Sequence, residues 1–298
     1  MTAVTAIQPV VVARRRPRRS RVLLVGFLTL MAATWLFPLL WAVYTALRPY
    51  ADTLARGYIS FPGTLNFGNF INAWTEGDFP RFYINSLIVA VPAVIITLFV
   101  ASMVAFAVTR FSWRFNLLAL MIFTAGNLLP AQVIIIPLYW LYQFVPFPGS
   151  DNGKLLYDQF LGVILINIVF QTGFCVFVLS NYMKTLSREL TEAALADGAS
   201  VWRIYRSVIL PLCRPALAAL ATLEFTFIYN DFFWALLLMK SGDKRPITSA
   251  LNNLQGQFFT DTNLLAAGAL LAAIPTILVY VFLQKQFISG LTLGSTKG

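Results

Sequence analysis

The stretch EAALADGASVWRIYRSVILP, residues 192–211, lies in the longest segment after residue 82 that is too polar for the interior of a lipid bilayer. Its alanines favour a helix, and Gly198 is the residue type that ends a helix in the left-handed conformation at least steric cost. Ser200 can cap a second helix, in which apolar residues recur at helical spacing, and Pro211 suits the first turn of a further helix. Because apolar stretches flank it on both sides, we predict a two-helix projection between two membrane spans.

The composition is that of a membrane protein. Of the 298 residues, 58% are hydrophobic and only 11% are charged, whereas about 25% of a soluble domain is usually charged. The net charge of +10 comes from basic residues beside apolar stretches, which favours membrane orientation over nucleic-acid binding. The chain has no histidine, which removes the commonest general base and metal ligand and disfavours hydrolases and metalloenzymes. Cys175 and Cys213 lie in apolar runs without metal-type spacing, so we expect small hydrophobic residues and no metal site.

The apolar segments predict an all-α polytopic membrane protein with six transmembrane helices. We expect spans at about residues 22–47, 82–108, 115–144, 160–182, 211–239 and 264–283. Residues 22–285 would then form the transmembrane domain, between a basic N-terminal tail (1–21) and a C-terminal tail (286–298). The basic block before the first span is followed by no small-residue cleavage site, so we expect that span to be retained.

Two regions should depart from regular spans. Pro130 and Pro137, about two turns apart, predict a kinked or broken third span. Residues 48–81 carry charges and prolines and indicate an external segment, with one short helix around residues 67–74.

The basic residues also predict the orientation. Six spans place both termini on the same side, and fifteen of the 22 Lys and Arg residues fall on that side. The positive-inside rule therefore predicts cytoplasmic termini, and it places the loop between spans four and five in the cytoplasm.

That loop resembles the cytoplasmic signature loop of the permease subunits of binding-protein-dependent ABC importers, which carries Glu-Ala-Ala, then Gly, then Ile-x-Leu-Pro at fixed spacing. The matching residues are Glu192, Ala193, Ala194, Asp197, Gly198, Val208, Leu210 and Pro211. Val208 stands where the pattern has Ile. Further segments resemble the carbohydrate-type, maltose-permease-like branch: NFINAW (69–74), YINSL (83–87), LLPAQVIIIPLY (128–139), YNDFFW (229–234) and FISGLTLGSTKG (287–298). Tyr229 stands where relatives often have Trp.

The resemblance implies a transport subunit and no enzyme. The helix around Glu192 would sit in a cleft of a cytoplasmic ATPase, and Pro211 would transmit the motion of that helix to span five. ATP and Mg would be bound by the partner, since this chain has no Gly-rich Lys-Ser/Thr loop and is expected to bind no cofactor itself. The implied partners are a second permease subunit, two ATP-binding subunits, an extracytoplasmic substrate-binding protein and membrane lipid. The implied location is a bacterial or archaeal cell membrane, and the implied cargo is a sugar or oligosaccharide.

Polar residues within the spans are candidates for the substrate path. Glu224 lies near the middle of span five, where a charged side chain costs a few kcal/mol unless it faces protein or water. It either lines a translocation cavity or makes a packing hydrogen bond between helices, and both interpretations stay open. The other candidates carry amides or carboxylates that suit sugar hydroxyls: Asn230, Asp231, Asn127, Gln132 and Gln171.

Three alternatives are weaker. One alternative is an importer of glycerol phosphate or another polyol. A phosphate on the ligand would favour Arg or Lys in the middle of the spans, and the spans have neither there. An ion-coupled secondary transporter using Glu224 and Asp231 would need a charged path through several spans and an internal repeat. A membrane-embedded enzyme would need a clustered nucleophile, base or metal site.

Overall fold

A computed structural model describes residues 18–126, 130–146, 153, 156–254 and 260–292. The described residues form a helical bundle with short connecting turns. The helices are α1 (Arg18–Leu47), α2 (Tyr50–Arg56), α3 (Gly68–Glu76), α4 (Phe79–Arg110), α5 (Asn116–Gly126), α6 (Ile135–Phe144), α7 (Phe160–Thr185), α8 (Glu189–Ala196), α9 (Val201–Leu212), α10 (Arg214–Tyr229), α11 (Phe233–Leu238), α12 (Ile247–Ala250) and α13 (Thr262–Thr292).

Four of these helices are long and apolar enough to cross a membrane: α1, α4, α7 and α13. Two bent pairs pass the same test, α5 with the helical residues 131–144 at 87° and α9 with α10 at 74°. When each pair counts as one span, the described residues contain six candidate spans, which is the predicted number. The last helix continues to Thr292, so the predicted C-terminal tail begins inside it.

The third span is broken, as its two prolines predict. Pro130 precedes a short 3-10 turn, residues 131–134, and α6 follows. Pro137 lies in the first turn of α6, where its missing N–H leaves no hydrogen bond unmade. The break is therefore associated with Pro130, and Pro137 does not add a second one.

The fifth span, predicted at about residues 211–239, is not one continuous helix. The chain bends at Cys213, and α10 ends at Tyr229 before a short non-helical step to α11. Pro215, not Pro211, lies in the first turn of α10. A proline cannot donate to the carbonyl four residues before it, and a widened π-type turn over residues 205–209 precedes Pro211. Two prolines four residues apart therefore redirect the chain, and the bend follows the first of them.

The bundle has two ends, which we name by what they carry. The loop end carries residues 186–213, and the far end carries residues 48–78, 239–254 and 260–261. A buried cluster lies towards each end, one around Phe79, Tyr229 and Trp234, the other around Phe106 and Leu179. Spans two, four and five contribute buried residues to both clusters, so these three spans pack against one another along their length.

The far end contains two short helices, α2 and α3, where one was predicted. Helix α2 is stabilised by Arg48, which is buried at 1% exposure. Its Nε donates to Asp52 at 2.6 Å, and its two Nη groups donate to the Gly57 carbonyl at 2.9 Å and the Ser60 hydroxyl at 2.8 Å. The hydrogen bond from Arg48 holds the pKa of the Asp52 carboxyl below its usual range. Helix α2 has only seven residues, too few for a clear helical repeat of apolar positions, so the sequence alone did not predict it.

Two buried asparagines join the first span to later parts of the chain. Asn69 Nδ2 donates to the Ala46 and Arg48 carbonyls at 2.9 and 2.8 Å. Asn263 Nδ2 donates to the Thr45 and Arg48 carbonyls, both at 2.9 Å. The last carbonyls of a helix have no partner within it, and here the Thr45 carbonyl also accepts the Arg48 amide at 3.2 Å. The C-terminus of the first span is thus capped by side chains from α3 and α13.

Candidate functional site

The loop between spans four and five has the predicted two-helix form. Helix α8 ends at Ala196, and Gly198 follows with φ +74°, in the left-handed region. The Ala199 amide donates back to the Ala194 carbonyl at 2.9 Å, which closes the end of α8. The Ser200 hydroxyl accepts the Arg203 amide at 3.3 Å and caps α9, as its position predicts.

The residues of the signature pattern differ in exposure. Those on or just after α8 are mostly open to the surroundings: Glu192, Ala193, Asp197 and Gly198 are exposed, and Ala194 is half-buried. Those near the bend are half-buried: Val208, Leu210 and Pro211. Two large apolar side chains of α8, Leu190 and Leu195, are 41% and 46% exposed. Helix α8 thus presents a mixed apolar and acidic surface away from the bundle.

Helix α9, in contrast, is firmly attached to the spans. Ile204 and Ile209 are fully buried in the loop-end cluster. The Tyr205 hydroxyl and the Ser102 hydroxyl of α4 hydrogen-bond at 2.7 Å, and both residues are buried. A displacement of α9 would therefore carry the loop end of span two with it.

Arg110, at the end of α4, ties span two to the start of the loop. Its Nη2 donates to the Met183 carbonyl at 2.7 Å, and its Nη1 donates to the Leu186 and Ser187 carbonyls at 3.2 Å each. The guanidinium thus caps the C-terminus of α7, where unpaired carbonyls favour a cation. Sequence reasoning treated Arg110 only as an orientation signal, because a tertiary cap has no local pattern.

Glu224 is fully buried between spans four and five. Its Oε1 accepts a hydrogen bond from the Cys175 thiol, with 3.2 Å between the two atoms, and its Oε2 is buried without a partner in the described part of the chain. This contact is of the packing kind that the sequence left open. It also corrects the expectation for Cys175, which is buried but donates to a carboxylate and so is more than a small hydrophobic residue.

The break in span five is stabilised by Asp231. Its Oδ1 accepts the amides of Phe233 and Trp234 at 3.1 and 3.3 Å, so the side chain caps α11. Asn230 is exposed, and its Nδ2 donates to the Thr226 carbonyl at 2.8 Å. The two neighbouring side chains therefore differ: Asp231 caps the N-terminus of α11, whereas Asn230 is exposed at the surface of the chain.

The remaining candidates for the substrate path lie on different structural elements. Gln132 is exposed in the 3-10 turn after Pro130, and Gln171 is half-buried in α7. Gln171 precedes Cys175 by four residues, so it lies on the same face of α7 one turn away. Asn127 lies outside the described residues.

A bundle of up to six spans, with an exposed helix projecting from a loop that is anchored to two of them, defines a multi-pass membrane protein. Residues 93–292 match the family model described as "Binding-protein-dependent transport system inner membrane component". The chain belongs to this family, and it is therefore a permease of the ABC transporter type.

Individual relatives match over most of their length. The chain is 32% identical to a probable ABC transporter permease protein of Pyrococcus horikoshii, over 86% of this chain and 91% of the relative. It is 30% identical to the permease protein of an arabinooligosaccharides transport system of Halalkalibacterium halodurans, over 95% of this chain and 98% of the relative. Among solved structures, it shares its fold with a chain of a bacterial ABC transporter involved in import of the acidic polysaccharide alginate, with TM-score 0.76, 23% identity, and 92% and 100% of the two chains covered.

Proposed function

We propose that this chain is the permease subunit of an ATP-driven importer for a sugar or oligosaccharide, and that it forms half of the translocation pore. The observation that carries the proposal is the match over 95% of the chain to the arabinooligosaccharides permease. A Streptomyces coelicolor relative, 28% identical over 93% of this chain, is named for diacetylchitobiose uptake. The cargo would be delivered by an extracytoplasmic binding protein and would pass between this chain and a second permease subunit.

Two polar positions of span five are the strongest path candidates. Backbone outside a helix is tolerated at membrane depth where it is buried in protein or lines a cavity filled with water. The step after Tyr229 is such a place, and Asn230 there is exposed. Glu224 is buried against Cys175. We infer that Asn230 faces the path and that Glu224 would reach it only when span five moves relative to span four.

The exposed surface of α8 supports docking to a partner at the loop end. Leu190 and Leu195 are exposed beside Glu192, in a segment too polar to be covered by lipid. Apolar side chains exposed in such a place are typical of a protein interface. The proposed partner is an ATPase, one of two, which binds ATP and Mg and lies in the cytoplasm together with both termini of this chain.

The experiment that tests this docking is a pair of substitutions at Gly198 in the assembled transporter. A Cβ at this position would meet no atom of this chain within 4 Å, whereas the φ of +74° disfavours a β-branched side chain. Left-handed backbone costs most residues about 1–2 kcal/mol, whereas Asn tolerates it. Gly198→Val should therefore abolish sugar uptake and reduce the amount of ATPase that co-purifies, and Gly198→Asn should retain both. Normal uptake and normal co-purification in Gly198→Val would refute the proposal.

The cargo is tested separately, by titrating the cognate binding protein with a panel of sugars, oligosaccharides and glycerol phosphate. Binding of a sugar or oligosaccharide, followed by its uptake through the complete complex, is the expected result. Selective binding of glycerol phosphate would replace the sugar assignment while leaving the importer assignment in place.

Glu224→Gln in the same complex tests whether the side chain reaches the substrate path during transport. If it does, the rate of sugar uptake should change. Unchanged uptake kinetics would show that Glu224 only packs against Cys175.

A further inference from the structure

The connection between α2 and α3 carries two unusually exposed apolar side chains. Residues 57–63, GYISFPG, which we name the apolar loop, contain no charged residue. Ile59 and Phe61 are 91% and 93% exposed, and no other large apolar side chain of the described residues exceeds 81%. Tyr58 beside them is also exposed. An apolar surface of this kind on one short loop is unfavourable in water and indicates a different surrounding.

The apolar loop lies alongside α1, not beyond its end. The Tyr44 hydroxyl donates to the Ser60 carbonyl. Trp41 and Tyr44 also line a cavity of about 250 Å³ together with Ile59 and Phe61. Side chains of a helix point back towards its N-terminus, so these contacts place the loop at the level of the last two turns of α1.

The chain returns to the end of α1 directly after the apolar loop. The Asn66 amide donates to the Leu47 carbonyl at 2.8 Å, and Leu47 is the last residue of α1. Trp41 lies six residues before it, which is ~9 Å along the helix at about 1.5 Å per residue. The apolar loop therefore dips from the end of α1 towards the middle of the span and comes back.

The sequence of α1 gives the depth of this dip in a membrane. Residues 22–47 carry no charge and lie between Arg21 and Arg48. Twenty residues at about 1.5 Å each cover the ~30 Å hydrocarbon core, so a core that starts at residue 22 ends near Trp41. A tilt of the helix moves that boundary towards Tyr44. Trp and Tyr are the residues enriched at such a boundary, and the apolar loop lies beside both.

The polar groups of the apolar loop are paired from its inner side. Arg48, directly after α1, donates to the Gly57 carbonyl at 2.9 Å and to the Ser60 hydroxyl at 2.8 Å. The Asp52 carboxylate of α2 accepts the Gly63 amide at 3.2 Å. Backbone outside a helix is tolerated near lipid only when its polar groups are satisfied within the protein. These side chains meet that requirement for the groups they contact.

The same contacts distinguish lipid from a protein as the neighbour. Protein interfaces carry about one hydrogen bond per 100–200 Å². The polar groups of Gly57, Ser60 and Gly63 already bond to Tyr44 and to the Arg48 and Asp52 side chains, while apolar side chains point outward. A surface with its polar groups inside and its apolar groups outside suits acyl chains better than a second protein surface.

We propose that the apolar loop is an interfacial lipid anchor, in which Ile59 and Phe61 insert at the boundary of head groups and acyl chains. The leaflet concerned is the one at the far end of the bundle. This role is separate from the proposed sugar path and from the proposed docking of α8, neither of which involves the loop. Because Arg48 joins the loop to the end of α1, insertion of the loop fixes the depth of that span in the bilayer.

The first test uses nitroxide labels on the assembled transporter in phosphatidylcholine nanodiscs. Labels at Ile59→Cys and Phe61→Cys report collisions with oxygen, which concentrates among acyl chains, and with a nickel chelate that stays in water. The control is Glu76→Cys, at an exposed and charged position that ends α3. The native Cys175 and Cys213 are buried, and the unmodified chain treated with the same label gives their background.

We expect the ratio of oxygen to nickel collisions to be severalfold higher at both loop positions than at Glu76→Cys. A ratio equal to that of the control would overturn the inference, because the apolar loop would then face water. Few collisions with either reagent would overturn it as well, because a protein surface would then cover the loop.

A photoreactive residue identifies the neighbouring molecule directly. Phe61→p-benzoylphenylalanine keeps an aromatic side chain at a position where it displaces little, since Phe61 is 93% exposed. Irradiation in the same nanodiscs should add the mass of one phosphatidylcholine to the chain, and the same replacement of Glu76 should not. A cross-link from Phe61 to the second permease subunit or to the binding protein, without a lipid adduct, would refute the anchor.

Discussion

Asp158 joins two connections between spans, and its replacement gives a graded prediction. The residue is 6% exposed and has φ +61°, in the left-handed region. Its carboxylate accepts the Ser241 amide at 2.8 Å and the Ser241 hydroxyl at 2.5 Å, and its own amide donates to the Leu238 carbonyl at 2.8 Å. The side chain therefore holds the start of span four against the segment that follows span five.

The magnitude follows from these contacts. A hydrogen bond to a charged group contributes about 1.5–3 kcal/mol, so Asp158→Gly, which removes two, should cost about 3–6 kcal/mol. Asp158→Ala loses the same bonds and adds about 1–2 kcal/mol, because alanine is strained at positive φ. Asp158→Asn keeps one acceptor oxygen and tolerates the backbone, so it should cost least. The predicted order of stability is Asp, Asn, Gly, Ala.

Thermal unfolding of the purified chain in nanodiscs checks the order. At about 2–4 °C per kcal/mol for a chain of comparable size, Asp158→Gly should lower the Tm by at least ~6 °C and Asp158→Ala by at least ~2 °C more. The control is Asp243→Ala, which breaks an exposed 3.0 Å ion pair with Arg81 and should change the Tm little, since such pairs contribute about 0–1 kcal/mol. The reasoning would be wrong if the Tm of Asp158→Ala equalled that of the Asp243→Ala control, or if it exceeded the Tm of Asp158→Gly.

Three further outcomes can be measured on the same preparation. Gly162→Ala places a Cβ 2.1 Å from a backbone carbonyl oxygen and should lower the Tm. The control is Gly26→Ala, whose Cβ meets nothing within 4 Å and which should leave the Tm unchanged. Equal Tm values for the two variants would contradict the close packing at Gly162. Cys175 is fully buried against Glu224, so a thiol reagent should label it slowly in the purified chain without ATP or substrate. Rapid labelling under these conditions would show that the contact between Cys175 and Glu224 does not persist in solution. The depressed pKa of Asp52 means that its stabilising effect is complete above about pH 4 and is lost as the pH falls through the folded pKa. Asp52→Asn should therefore lower the Tm equally at pH 8 and pH 5, and a difference that shrinks between these two values would argue against the ion pair.

The features that the sequence predicted are those that local chemistry determines. Gly198 ends α8 because few other residues adopt its φ, and Ser200 caps α9 because its side chain reaches an amide three residues on. Pro130 precedes the break in span three for a similarly local reason. Such signals depend on neighbours within about one helical turn, and they can be read without knowing the rest of the fold.

The features that sequence reasoning missed depend on residues far apart in the chain. Glu224 and Cys175 are 49 positions apart, and Arg110 caps a helix end more than 70 positions later. The break in span five escaped notice for another reason, because the residues around Asp231 are apolar and aromatic and favour a continuous span. Only the cap that Asp231 makes to the next two amides shows why the helix stops there.

The capping of α1 by Asn263 has a consequence for how the protein is made. Helix α1 leaves the ribosome more than 200 residues before Asn263, which lies in α13. Until α13 is inserted, the Thr45 carbonyl lacks the amide that Asn263 supplies in the finished fold, and the Arg48 carbonyl lacks one of its two donors. The end of α1 can therefore reach its final hydrogen bonding only after α13 has been synthesised and inserted. A nascent chain that ends before residue 263 therefore carries a first helix whose C-terminal cap is incomplete.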